Sequence, residues 1–236
     1  MGTLYIVATP IGNLEDISLR ALRILFSSDI IACEDTRRTG ILLTELRKRY
    51  GGLLDIDTTP QLIRYDEHSE QSTSPELVSK LLEGKSVSLV SDAGTPLISD
   101  PGFILLREAK KHGVPVVSVP GPTAVMTALA ASGLPADHVL FLGFPPEKAG
   151  HRVRQLESIR QIAEDKSLFS VAAWYIAPHK LQSMLSDIER TLPNNTVTLA
   201  RELTKIHETY ESGTASELLV NHPEPKGEYV VLLSLK

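Results

Sequence analysis

The chain has 236 residues, of which 42% are apolar and 22% charged, as is typical of a globular protein. Its net charge of −5 gives no general attraction to nucleic acid or to an anionic membrane surface. The sequence lacks both the long apolar run of a membrane helix and the N-terminal pattern of a signal peptide. A single cysteine, Cys33, excludes an internal disulfide and a cysteine metal cluster. We therefore expect a cytoplasmic protein with no membrane partner and no metal.

The first half alternates short apolar runs with amphipathic helical patterns. The runs predict strands at 4–8, 30–33, 62–65, 87–90 and 114–119. Cys33 ends the second run and should be buried. Helices fill the intervals, and one of them should open at Ser74-Pro75-Glu76 and end at Gly84. This alternation predicts an α/β domain with a mainly parallel sheet.

The stretch 91–102, SDAGTPLISDPG, combines many polar groups with little side-chain bulk. It follows the strand predicted at 87–90 and leads into a helix, for which Asp100 is the predicted cap and Pro101 the predicted first residue. Ligands of α/β proteins bind at the carboxyl ends of strands. We interpret this loop as one wall of a small-molecule site. The alternative is a well-capped turn without a ligand.

The second half has a different order of elements. Strands are predicted at 139–144, 169–176, 196–199, 207–212 and 229–235, with helices after Pro122 and near 148–163, 178–191 and 214–221. Two successive strands between 196 and 212 suggest antiparallel pairing, so this sheet should be mixed. The sequence thus predicts two α/β domains, residues 1–116 and 117–236.

Several common site motifs are missing from the sequence. It contains no G-x-G-x-x-G after the first strand, no phosphate-binding loop, no H-E-x-x-H and no G-x-S-x-G, and the histidines show no metal-ligand spacing. A nucleotide hydrolase therefore has little support. The remaining candidates are polar turns that follow strands, at 9–13, 34–39, 91–102 and 120–123.

Six blocks resemble the ribosomal RNA small subunit methyltransferase I family, a branch of the tetrapyrrole-methylase superfamily. They are LYIVATPIGNLEDI at 4–17, EDTR at 34–37, the 91–102 loop, PGP at 120–122, ARELTK at 200–205 and KGEYV at 226–230. The resemblance implies two α/β domains with S-adenosylmethionine in the cleft between them. It also implies methyl transfer to the ribose 2′-hydroxyl of a cytidine in small-subunit ribosomal RNA, and a homodimer, which is common in the superfamily.

Methyl transfer mainly requires that acceptor oxygen, methyl and sulfur are held in line. Backbone groups of glycine-rich turns can approach a cofactor closely. We expect the methionyl end to be lined by Asp92, Ala93, Gly94 and Thr95, and the neighbouring wall by Pro10 and Gly12. From the second half we expect contributions from Pro122, Thr123, Tyr175, Ile176, Ala200 and Arg201.

A ribose hydroxyl is a poor nucleophile, so a general base is useful. The candidates are Asp35, Glu34 and Lys205, the lysine only if burial depresses its pKa. Alternatively, Glu34 and Asp35 form a structural ion network with Arg37 or Arg201.

Binding of ribosomal RNA, or of the assembled small subunit, requires local positive charge. The candidate contacts are Arg37 and Arg38 after the second strand, and Lys148, Arg152 and Arg154 in the second half. Alternatively, these are solvated helix faces.

The stretch Trp174-Tyr175-Ile176-Ala177-Pro178-His179-Lys180 departs from the family pattern, which has an acid at the position of Ile176 and an arginine at that of Lys180. A lysine cannot reproduce the bidentate fork of an arginine. Two alternatives therefore stay open. One is a small-molecule methylase of the same superfamily, and the other is a non-catalytic module that binds the cofactor or RNA.

Overall fold

The computed structural model describes residues 1–52, 58–163 and 169–236. The chain divides into two compact units, Met1–Thr123 and Ala124–Lys236. The boundary drawn from the sequence at 116/117 falls at the start of a strand, Val116–Val119, that pairs with Leu4–Val7. The residues up to Thr123 therefore stay with the first unit, including Pro122 and Thr123, which we had placed in the second half.

The first unit is built on a five-stranded sheet in which every strand pair is parallel. Its strands are β1 (Leu4–Val7), β2 (Ile30–Cys33), β3 (Gln61–Arg64), β4 (Val87–Leu89) and β5 (Val116–Val119), in the order β3-β2-β4-β1-β5. The helices are α1 (Leu19–Ser27), α2 (Thr36–Tyr50), α3 (Glu70–Leu82) and α4 (Phe103–Lys111), with a short 3₁₀ turn at Leu14–Asp16. The predicted α/β fold with a parallel sheet is confirmed.

Alternating strand residues enter two separate cores, one on each face of this sheet. In β2, Ile30 and Ala32 join the cluster that contains residues of α3 and α4, whereas Ile31 and Cys33 join the one that contains residues of α1 and α2. Cys33 is fully buried, as predicted. Because all strands run the same way, the loops after β1, β2, β4 and β5 leave the sheet at one edge.

Two predicted helix starts in this unit are wrong. Helix α3 begins at Glu70, so Pro75 lies inside the helix rather than at its start. The turn that leads into it is held by Asp66, whose carboxylate accepts hydrogen bonds from the backbone and the hydroxyl of Ser69. Helix α4 begins at Phe103 with Gly102 as its cap residue, so Asp100 does not cap it and Pro101 precedes it.

The second unit contains a mixed five-stranded sheet. Its strands are β6 (Val139–Phe141), β7 (Val171–Ile176), β8 (Val197–Arg201), β9 (Thr209–Gly213) and β10 (Tyr229–Ser234), in the order β6-β7-β10-β8-β9. The β6–β7 pair is parallel and the other pairs are antiparallel, as predicted for this half. The helices are α5 (Ala124–Ala131), α6 (Ala149–Ala163), α7 (Pro178–Thr191) and α8 (Ala215–Asn221).

The core of the second unit lies between its sheet and helices α6, α7 and α8. Leu181, Met184, Leu185 and Ile188 of α7 pack there against the buried faces of β7 and β10. Within the described ranges, no helix has the length and apolar character needed to cross a membrane.

Candidate functional site

The loops after β1 and β4 are joined by a two-residue bridge. The amide of Thr9 donates to the Gly94 carbonyl at 2.8 Å, and the amide of Gly94 donates to the Thr9 carbonyl at 3.1 Å. The Thr9 hydroxyl also donates to the carbonyl of Ser91 at 3.2 Å. The structure thus brings together two segments that the sequence places more than eighty residues apart.

Gly94 occupies a position that disfavours other residues. Its φ is +88°, and a Cβ there would lie 3.3 Å from Cγ2 of Ile11 and 3.7 Å from the carbonyl oxygen of Pro122. The neighbouring Thr95 hydroxyl donates to that same carbonyl at 3.0 Å. Three of the predicted site segments, 9–13, 91–102 and 120–123, are therefore in contact.

The rest of the loop after β4 has an unusual backbone. Leu97 and Ser99 have positive φ values of 73° and 68°, which non-glycine residues rarely adopt. At Gly102, φ is +133° and a Cβ would lie 2.5 Å from Cδ2 of Leu89. Asp100 is partly buried in this loop and does not cap α4. Burial raises the pKa of Asp100 to about 6, with a contribution from the nearby charge of Asp92.

Asp92 lies beside a small groove at this edge of the sheet. The groove holds about 130 Å³ and is lined by Pro10, Gly12, Leu14, Arg38, Thr39, Leu42, Ser91 and Asp92. It therefore combines the predicted Pro10–Gly12 wall with Asp92. Its lining offers apolar side chains, hydroxyl groups, one carboxylate and the guanidinium group of Arg38.

Two of the three candidate bases lie in the turn between β2 and α2. Asp35 caps α2, and its Oδ1 accepts from the amides of Arg37 at 2.8 Å and Arg38 at 3.3 Å. These hydrogen bonds lower the pKa of Asp35. Glu34 is partly buried, and its Oε1 accepts from the amide of Asp92 at 3.1 Å. Burial raises the pKa of Glu34 although that hydrogen bond opposes the shift.

The predicted alternative of an ion network in this turn takes another form in the structure. Arg38 makes an ion pair with Asp92, with 2.9 Å between Nη1 and Oδ2. Arg38, predicted to contact RNA, is therefore engaged with a residue predicted to bind the cofactor.

Lys205, the third candidate base, was expected to act as a base only if burial depressed its pKa, and this condition is not met. Its Nζ lies 3.1 Å from Oε1 of Glu202 and 2.8 Å from Oε2 of Glu228. Burial by itself would lower the pKa of Lys205, but the hydrogen bonds and charges of the two carboxylates outweigh burial and raise it. This raised pKa makes the ammonium group poorly suited to act as a base at neutral pH.

The remaining predicted cofactor residues lie at the ends of β7 and β8, on either side of β10. Tyr229, at the start of β10, pairs in register with both Ile176 and Arg201. Ile176 and Ala200 are buried, so their side chains belong to the core and only their backbone could meet a ligand. Arg201 donates through Nε to the carbonyl of Lys226 at 2.8 Å.

A second groove, of about 320 Å³, lies next to Arg201. Its lining residues are Arg201, Asn221, His222, Pro223, Glu224, Lys226 and Tyr229. Arg201 is the one lining residue that was predicted to bind the cofactor, although Lys226 and Tyr229 belong to the KGEYV block at 226–230. That this block lies beside Arg201 follows from strand pairing, because β10 lies between β7 and β8 in the sheet but follows both along the chain.

Arg152 is not available for RNA, and this part of the prediction is wrong. Its side chain is buried, its Nε lies 2.6 Å from Oδ2 of Asp187, and its Nη1 donates to the carbonyls of Pro146 and Glu147. Lys148 and Arg154 are exposed. Phe144, which the prediction passed over, is 59% exposed and packs edge-on against Tyr175, with ring centroids 5.7 Å apart.

The architecture has relatives among solved structures. A uroporphyrin-III C-methyl transferase from Thermus thermophilus, crystallised with S-adenyl homocysteine, superposes with a TM-score of 0.65 at 17% identity, over 99% of this chain and 97% of the other. The likeness at this identity concerns the fold alone. Residues 3–219 also match the family Tetrapyrrole (Corrin/Porphyrin) Methylases.

Sequence relatives identify a particular group within this family. Proteins named ribosomal RNA small subunit methyltransferase I are 43% identical in Escherichia coli O157:H7 and 40% identical in Thermotoga maritima. The first alignment covers 98% of this chain and 77% of the relative, and the second covers 100% of both. The chain belongs to the tetrapyrrole methylase family and, within it, to the ribosomal RNA small subunit methyltransferase I group.

Proposed function

We propose that the protein transfers the methyl group of S-adenosylmethionine to the ribose 2′-hydroxyl of a cytidine in small-subunit ribosomal RNA. The observation that carries this proposal lies at the edge of the first sheet, where three polar loops are in contact. The Thr9–Gly94 bridge joins the loops after β1 and β4, and the Thr95 hydroxyl joins the latter to Pro122. Relatives at 40–43% identity that bear the name of an RNA methyltransferase support the RNA acceptor over a tetrapyrrole.

The residues at this edge fit the chemistry of the cofactor. S-adenosylmethionine supplies an electrophilic methyl group on a sulfonium, together with an amine, ribose hydroxyls and an apolar base. Asp92 offers a carboxylate for cationic or hydroxyl groups, and the backbone around Gly94 has no side chain to keep a ligand away. We assign binding in the first unit to Pro10, Gly12, Asp92, Ala93, Gly94, Thr95, Pro122 and Thr123.

In the second unit we propose that Tyr175, Arg201 and the backbone of Ile176 and Ala200 contribute to cofactor binding. Arg201 and Tyr175 lie at the carboxyl ends of β8 and β7, the two strands that flank β10 in the sheet. Their side chains are partly exposed, in contrast to the buried residues of the same strands.

Proton removal from the ribose hydroxyl is assigned to Glu34. Asp35 stays ionised as a helix cap with a lowered pKa, and Lys205 keeps its proton, so both are poorly suited to the role. Glu34 is the candidate whose pKa is raised toward the working pH, as general-base catalysis favours. Glu34→Gln should lower kcat by about a hundredfold or more.

RNA contacts are assigned to Arg37 in the first unit and to Lys148 and Arg154 in the second. All three side chains are exposed. The overall charge of −5 gives no general attraction to phosphates, so binding depends on local cations such as these. Phe144 adds an exposed ring on which an unpaired base could stack. We further propose a cytoplasmic homodimer that acts on the RNA or on the assembled small subunit.

A methyl-transfer assay tests this function. Small ribosomal subunits from a strain that lacks the protein are incubated with the enzyme and tritium-labelled S-adenosylmethionine. We expect label in the small-subunit RNA that stays with the ribose after the base is removed. Absence of label, with cofactor binding intact, would contradict the proposed acceptor. Unchanged cofactor affinity in Asp92→Ala would contradict the assigned binding loop.

A further inference from the structure

Two side chains in and next to the turn between β2 and α2 contact Asp92. One contacts the backbone of Asp92, and the other contacts its carboxylate. Oε1 of Glu34 accepts the amide hydrogen of Asp92 at 3.1 Å. Nη1 of Arg38 donates to Oδ2 of Asp92 at 2.9 Å. Both the main-chain position and the carboxylate orientation of Asp92 therefore depend on residues that lie more than fifty positions earlier in the chain.

The fold holds this turn firmly. Strands β2 and β4 are adjacent and parallel, with Ala32 opposite Leu89, so the turn and the Asp92 loop leave the sheet side by side. Asp35 caps α2 through the amides of Arg37 and Arg38, which fixes the first turn from which Arg38 extends. Cys33 before the turn is fully buried.

The surroundings of Asp92 are acidic, which favours a cation there. The charges of Asp100, Asp92 and Glu67 all act on Glu34 in the direction that raises its pKa. Arg38 is the arginine paired with Asp92. Without it, the Asp92 carboxylate would tend to turn away from its acidic neighbours.

The ion pair between Arg38 and Asp92 contributes little to the stability of the fold. The Arg38 side chain is 73% exposed and that of Asp92 is 27% exposed, and pairs of this kind stabilise proteins only weakly. Its effect is instead to select one orientation of the Asp92 carboxylate. That carboxylate lines the groove together with Pro10 and Gly12.

We propose that Glu34 and Arg38 are positioning residues that hold Asp92 in the orientation in which it contacts the cofactor, and that Arg38 is not an RNA contact. The inference rests on the proposed function, because it takes Asp92 as a cofactor ligand. The role of Glu34 here is separate from its assigned role as the base, since an amide oxygen can accept the Asp92 hydrogen bond but cannot take a proton.

The test compares S-adenosylhomocysteine affinity, measured by calorimetry, in four variants of the full chain. Glu34→Ala removes the acceptor and should raise Kd by about tenfold. Glu34→Gln keeps an acceptor oxygen and should retain a Kd within about twofold of the wild type. Arg38→Met should raise Kd by about two- to fivefold. Arg37→Met, at the exposed neighbouring position, should leave Kd unchanged.

RNA affinity across a salt series provides the second readout. Arg37→Met should lower the slope of log affinity against log salt by about one, as expected for a lost phosphate contact. Arg38→Met should leave this slope unchanged. Arg37→Met should therefore weaken RNA binding alone, and Arg38→Met should weaken cofactor binding alone. Loss of folding would weaken both and cannot produce this pattern.

Three results would overturn the proposal. One is equal cofactor affinity in the wild type, Glu34→Ala and Arg38→Met. Another is a Glu34→Gln variant as weak as Glu34→Ala, and the third is an Arg38→Met variant that loses RNA affinity and keeps cofactor affinity. If the wild type itself binds no S-adenosylhomocysteine, the proposed function fails instead, so the two failures can be told apart.

Discussion

Arg152→Met should destabilise the second unit without changing RNA binding. Arg152 and Asp187 form an ion pair whose side chains are 8% and 9% exposed, with 2.6 Å between Nε and Oδ2. Removal of one partner from a buried pair typically costs about 3–5 kcal/mol. Arg190, which is largely exposed, remains on the other Asp187 oxygen at 2.7 Å. We therefore expect the lower end of that range, about 3 kcal/mol.

The sole tryptophan makes this loss measurable in one unit. Trp174 is buried in β7 and donates through Nε1 to Oε1 of Gln155 in α6, so its fluorescence reports on the second unit. Urea unfolding followed at Trp174 should shift its midpoint down by about 1–2 M. Arg154→Met, at an exposed position two residues further along α6, should shift it very little.

The Arg152→Met and Arg154→Met variants also distinguish a buried arginine from one that contacts RNA. Arg154→Met should reduce the salt slope of RNA affinity by about one, whereas Arg152→Met should leave it unchanged in the absence of denaturant. Replacement of the whole pair, in Arg152→Met with Asp187→Leu, should recover much of the lost stability, because no uncompensated charge stays buried. A loss below about 1 kcal/mol in Arg152→Met, with a reduced salt slope, would refute this reasoning.

Three further predictions concern the first unit and the RNA surface. Gly94→Ala should destabilise the chain by about 1–2 kcal/mol and weaken S-adenosylhomocysteine binding, as calorimetry and thermal unfolding would show, because its φ of +88° and the Ile11 methyl both oppose a Cβ. RNA affinity should fall steeply with salt, and Lys148→Met should lower the slope by about one; a flat response would remove the basic residues from the proposal. The pKa of Asp100 is raised from 3.8 to about 6, so its ionisation opposes folding and its contribution to stability falls as pH rises from about 4 to 6. Asp100→Asn should abolish that fall, and an unchanged pH dependence of unfolding would contradict the assignment.

Most of the fold could be predicted from the sequence because it follows from local pattern. Apolar runs such as 30–33 correspond to strands that are buried on both faces, and the pattern of Leu181, Met184, Leu185 and Ile188 marks the buried side of α7. The alternation of strands and helices was sufficient to predict a parallel sheet. The two successive strands near 196–212 were sufficient to predict an antiparallel pair.

Errors arose where long-range contacts override local preference. Asp100 and Pro101 form a strong helix-start pattern, but the positive φ values at Leu97 and Ser99 redirect the chain so that Gly102 caps α4. Arg152 belongs to a basic run that resembles a solvated face. The packing of α6 on α7 buries it against Asp187.

The sequence by itself determined the order of elements, the loops that carry polar chemistry and the family to which those loops belong. Each of these is written in contiguous residues. Only the tertiary structure decided which loops meet and which charges pair, as with Thr9 and Gly94 or Arg38 and Asp92. The physical reason is that strand order β3-β2-β4-β1-β5 depends on the collective burial of two core faces, which no local segment encodes.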